Sequence, residues 1–75
     1  MNIDTLNAAI AEEFEIETSA ITPEASIKET LELDSLSLLD LVAVVERVTG
    51  TKVKGTELNQ IQSFGDLYAF LEQCS

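Results

Sequence analysis

Asp34-Ser35-Leu36 stands directly before the most apolar run of the chain, within LELDSLSLLDLVAVVERV over residues 31–48. An aspartate there is a preferred N-cap, because its carboxylate accepts hydrogen bonds from the otherwise unpaired N–H groups of a first helical turn. Ser35 is then the first helical residue. Its hydroxyl sits at the positive end of the helix dipole, where an attached phosphate group is electrostatically favoured. Nothing in the chain supplies the usual base to activate that hydroxyl: there is no His, which removes the Ser-His pairing and most zinc sites. Gly50, Gly55 and Gly65 stand alone, so there is no phosphate-cradling loop. The fourteen acidic residues could pair as acid and base, but they are spread over polar faces of a chain too short to enclose a substrate. We therefore expect no catalytic residue and no metal site, and Ser35 acts as an attachment point. On the residues alone, a plain capped helix start remains the alternative.

The elements that must position Ser35 follow from apolar spacing. Ile3, Leu6, Ile10 and Phe14 form one stripe of an amphipathic helix over residues 3–14, with Asn2 as N-cap. A long connection, residues 15–33, holds Pro23 and is expected to be tied down by Ile16, Ile21, Ile27, Leu31 and Leu33, with a short helical turn starting at Thr22-Pro23. The second helix runs over residues 35–49 and ends at Gly50. Leu38, Leu41, Val42, Val45 and Val48 share its core face, while Leu36, Leu39 and Ala43 gather with Asp40, Glu46 and Arg47 on the opposite one. An apolar strip beside a serine that can be modified reads as a docking surface. A short helix over 56–60 follows. Ser63 then opens a last helix whose stripe is Phe64, Leu67, Tyr68 and Leu71, reaching about residue 73. The fold class is all-α, a four-helix bundle in one domain spanning residues 1–75.

Composition bounds the partners. Seventy-five residues form one thin-cored domain, of a size that buries only roughly 60% of its unfolded surface. A net charge of −10 argues against nucleic acid and anionic membranes and favours basic protein partners. No apolar run is long enough to span a membrane, and MNIDTLNAAI lacks the basic n-region of a signal peptide, so a cytoplasmic, monomeric protein is expected. Cys74, the one cysteine, has no disulfide partner and is read as a surface or half-buried thiol.

Leu33-Asp34-Ser35-Leu36 at the start of an apolar helix, in an acidic chain of this length, resembles the acyl carrier proteins, as does Ser63-Phe64-Gly65-Asp66-Leu67 at the last helix. The likeness covers nearly the whole chain and implies the acyl-carrier bundle, with its long first loop and short third helix. It implies that Ser35 receives 4′-phosphopantetheine from coenzyme A through a separate phosphopantetheinyl transferase. The arm then carries acyl groups as thioesters for acyl-processing enzymes with basic docking faces, in fatty acid, polyketide or other specialised acyl biosynthesis. By the same resemblance Asp34 positions the helix start and assists transfer, and Leu36 lies beside the cofactor. Leu36, Asp40, Ala43 and Glu46 fall on positions that meet partners in the family, with Leu39 completing the docking strip read from the helix face, and the interior of Leu38, Val42, Val45, Ile61 and Leu67 matches one that opens to shelter an acyl chain.

The sequence departs from the family pattern at Glu32, where Gly is frequent, and at Ser37 and Arg47, where fatty acid carriers usually have acids. Residues 47–54 carry +3, leaving −13 on the rest of the chain. These departures point toward a dedicated carrier in a specialised acyl pathway. A peptidyl or aminoacyl carrier with the same arm, and an unmodified helical interaction module, are the alternative readings.

Overall fold

The computed structural model describes residues 2–74, with nothing stated of the Cys74 side chain, so the expectation of a surface or half-buried thiol lies outside the described residues. Helix α1 spans Ile3–Phe14; Asn2 caps it by accepting from the Thr5 N–H at 3.2 Å. Glu15 ends it in the left-handed region (φ 56°), and Ile16 N–H turns back to the Ala11 carbonyl. The connection that follows is more structured than its sequence suggests. A 3-10 turn occupies Thr18–Ala20, and helix α2 spans Ile27–Leu31, with the Ser26 hydroxyl accepting from Glu29 N–H. The helical start expected at Thr22-Pro23 is instead a single hydrogen-bonded turn, Ala25 N–H to the Thr22 carbonyl. Helix α3 spans Ser35–Thr49, α4 Gly55–Gln60 and α5 Phe64–Cys74. The all-helical bundle is as expected, with α2 as an additional short helix.

Three of these boundaries are set by local chemistry. Gly50 closes α3 at φ 73°, a conformation costly for a residue with a Cβ, and its N–H reaches the Glu46 carbonyl. The Glu57 carboxylate accepts from Lys54 N–H at the start of α4, and the Ser63 hydroxyl accepts from Asp66 N–H at the start of α5. Tyr68 packs its ring in the core and donates its hydroxyl to Asn7 Oδ1, joining α5 to α1. Burial is the main cause that raises the pKa of this phenol above the ordinary tyrosine value, and the Asn7 hydrogen bond opposes it.

The core draws on all five α-helices, chiefly Leu6 and Ile10 of α1, Leu41, Val44 and Val45 of α3, and Phe64, Leu67 and Leu71 of α5, with Leu58 of α4. The α1–α5 bundle is closed on its loop side by Ile21, Ile27 and Leu31, which are buried as expected, whereas Ile16 and Leu33 are half-buried. The centre of the buried face of α3 is Leu41, Val44 and Val45; Leu38, Val42 and Val48 flank it, half-exposed. Val44 is absent from the face expected from the sequence because residues 38–45 are apolar nearly all round, and the packing of α1 along α3 fixes the rotation. Backbone bonds stitch the long connection to the start of α5: Ile27 N–H to the Gln62 carbonyl, Phe64 N–H to Ala25 and Gly65 N–H to Pro23. A Cβ on Gly65 would lie 3.0 Å from the Pro23 carbonyl oxygen, so a larger residue would push this segment back by a few tenths of an ångström.

Candidate functional site

Ser35 is exposed on the first turn of α3. Asp34 holds that turn: its extended backbone places one carboxylate oxygen, Oδ1, to accept from both Leu36 N–H at 3.0 Å and Ser37 N–H at 2.8 Å. These bonds favour the charged carboxylate. The backbone N–H of Ser37, followed by its hydroxyl, therefore sets the Asp34 pKa below the ordinary aspartate value, with a smaller contribution from Leu36 N–H. The cap leaves the Ser35 side chain uncommitted to helix closure, because the carboxylate of the preceding residue already satisfies the amides of the two that follow.

The chain reaches Asp34 through α2. This five-residue helix ends at Glu32, which adopts φ 51° and ψ 50° and turns its N–H back to the Lys28 carbonyl, joined there by Leu33 N–H at 3.1 Å. The left-handed step reverses the chain between α2 and α3. Leu31 then points into the core while Leu33, Asp34 and Ser35 line an open groove of about 480 Å³. Lys28 of α2, Leu38 of α3 and Gly55, Thr56 and Asn59 of α4 complete its lining.

The expected site residues fall into three groups. Ser35, Asp34 and Leu36 are together at the start of α3 and exposed. Leu39, Asp40, Ala43 and Glu46 continue on the exposed face of the same helix, where Leu36 (74% accessible) and Leu39 (62%) are the large apolar side chains most open to solvent. Of the five residues expected around an acyl chain, Leu38 lines the groove and Val42 is half-buried, while Val45, Ile61 and Leu67 are closed within the core and do not reach it. The sequence reading did not include Leu33, Lys28, Thr56 and Asn59 in the site. Lys28 carries a visible signal, being the sole base in the first 46 residues; Thr56 and Asn59 carry none. Among the described residues no group of acidic or cysteine side chains is arranged to hold a metal ion, and no helix is long and apolar enough to cross a membrane.

A family model described as the phosphopantetheine attachment site matches residues 4–71. Acyl carrier protein 2 of Ralstonia nicotianae is 31% identical over 65 residues, 87% of this chain and 80% of that protein. The acyl carrier protein of Thermotoga maritima is 34% identical over 68 residues, 91% of this chain and 84% of that protein. The meromycolate extension acyl carrier protein of Mycobacterium tuberculosis is 36% identical over 70 residues, 88% of this chain but 61% of the longer relative.

Proposed function

Since the chain belongs to the acyl carrier protein family, whose members bear covalently attached 4′-phosphopantetheine, we propose that Ser35 is the residue that bears it. The observation that carries this reading is an exposed Ser35 directly after an aspartate cap whose Oδ1 already holds two first-turn amides. The local structure fits the group. Ser35 lines an open groove, so a phosphodiester formed on it leaves the packing of α3 undisturbed, and Lys28 in the same groove favours a negative charge nearby. When attached, the arm supplies a terminal thiol that holds acyl groups as thioesters. The chain's own residues do no chemistry on the cargo; they display the arm and present a face by which partners recognise it.

That face is the strip of Leu36, Leu39 and Ala43 with Asp40 and Glu46 beside it, all exposed on α3. Each leucine fully buried by a partner contributes about 1.5–3 kcal/mol, enough for short-range contact but not for a long-lived complex. The acidic residues steer a basic partner toward Ser35, and small interfaces release quickly, as a shuttle requires. Ser37 and Arg47, where fatty acid carriers usually have acids, leave this face weakly acidic and favour a specialised acyl pathway over general fatty acid synthesis. Incubation with coenzyme A, Mg²⁺ and a promiscuous phosphopantetheinyl transferase tests the reading. Intact mass should rise by one phosphopantetheine in the wild-type protein and stay unchanged in Ser35→Ala. An unmodified wild-type protein would leave only a helical interaction module.

A further inference from the structure

The groove beside Ser35 has one cationic wall residue, Lys28, in a chain whose other three bases all lie in residues 47–54. Lys28 is exposed and has no ion-pair partner among the described residues. Its side chain also borders a second hollow edged by Glu24, so it stands on the ridge between a carboxylate and the Ser35 groove. On the groove side, Leu33 and Leu38 supply apolar surface, and Thr56 and Asn59 supply hydroxyl and amide groups. One groove thus brings a cation, apolar surface and hydrogen-bonding groups together beside Ser35, the three chemistries that the arm's phosphodiester, branched hydrocarbon and amides call for.

Resting on the reading of Ser35 as the attachment residue, we propose that Lys28 is a positioning residue for the arm. Its ammonium pairs with the phosphodiester on Ser35, and this lays the first half of the arm along the groove toward Thr56 and Asn59. The added phosphate charge sits next to the Asp34 carboxylate, and Lys28 is the cation within the same groove that offsets both. The pairing is solvent-exposed and therefore weak and salt-sensitive. A docked arm is thus released easily to a partner. α2, which joins α1 to α3 and buries Ile27 and Leu31 in the core, acquires a further role.

The test compares apo and arm-bearing forms of the wild type, Lys28→Gln, Lys28→Arg and Lys54→Gln. Conversion is followed by intact mass, and apo spectra establish that each variant is folded. In the wild type, arm attachment should move the backbone amide signals of Lys28, Thr56 and Asn59 as well as those next to Ser35. In Lys28→Gln the shifts at Thr56 and Asn59 should fall to less than about half, Lys28→Arg should retain them, and Lys54→Gln, which alters a base outside the groove, should leave them unchanged. Raising salt to about 1 M, where the Debye length is about 3 Å, should collapse the wild-type shifts toward the Lys28→Gln pattern. Shifts confined to the neighbours of Ser35, or undiminished in Lys28→Gln, would overturn the proposal. Should Lys28→Gln fail to fold, the wild-type salt series decides it alone. No mass gain on Ser35 is a different failure, one of the attachment reading itself.

Discussion

Replacing Glu32 by glycine should stabilise the protein and sharpen the turn that delivers Ser35. Glu32 sits at φ 51° and ψ 50°, in the left-handed region, as the residue that closes α2. A side-chain-bearing residue there costs about 1–2 kcal/mol through the approach of its Cβ to the following carbonyl oxygen. Glycine removes that cost but adds about 0.5–1 kcal/mol of unfolded-chain entropy. Between the midpoints of the two ranges the difference is a gain of about 0.75 kcal/mol, or about 3–6 °C in melting temperature for a domain of this size. Loss of a negative charge from a chain of net charge −10 acts in the same direction, so Glu32→Gln measures that part alone. The backbone contribution is read from urea unfolding of Glu32→Gly against Glu32→Ala at one pH and salt concentration. Glu15, at φ 56°, provides an independent replicate at the end of α1, and the two glycine substitutions should add. If Glu32→Gly proves no more stable than Glu32→Ala, the left-handed turn between α2 and α3 is not the structure in solution.

Two further outcomes follow from burial and from the cap. Val44→Ala removes two methyl groups from the closed core and should cost about 2 kcal/mol in urea unfolding, whereas Leu39→Ala on the exposed face of α3 should change stability by no more than about 0.5 kcal/mol. Reversal of that order would mean α3 is rotated about its axis. Because the Asp34 pKa is lowered on folding, its contribution to stability is present in full above the unfolded value of 3.8 and is lost as pH falls through the lower folded value. A carboxyl NMR titration should place the Asp34 midpoint below 3.8, and Asp34→Ala should flatten the acid side of the stability profile. A midpoint at or above 3.8 would contradict the cap geometry.

Much of the fold was legible in the sequence because its long helices are bounded by local signals. Asn2, Asp34, Gly50 and Ser63 act on residues within one turn of themselves, so the start of α1, both limits of α3 and the start of α5 follow without tertiary information. Helix α2 was not legible for the opposite reason. Five residues show no period, and Ile27–Leu31 is held as a helix by the burial of Ile27 and Leu31 and by the bonds that tie its start to Gln62 and Ser63. The same distinction divides the site. Asp34, Ser35 and the exposed strip of α3 lie within thirteen consecutive residues, 34–46, and helical geometry alone brings them together. The groove draws Lys28, Leu38, Thr56 and Asn59 from three helices, a juxtaposition no spacing rule contains. Val45, Ile61 and Leu67 carry the apolar character of a cargo pocket, yet their side chains fill the core themselves.

The central claim is that one particular hydroxyl anchors the arm, and fragmentation mass spectrometry of the arm-bearing protein tests it most directly. Ser37 is the demanding competitor, two residues away in the same first turn, with its N–H and hydroxyl engaged by Asp34. The account predicts that the phosphopantetheine maps to Ser35 alone and that Ser37→Ala is modified as fully as the wild type. An arm mapped to Ser37, or a Ser35→Ala protein that still gains the group, would contradict it.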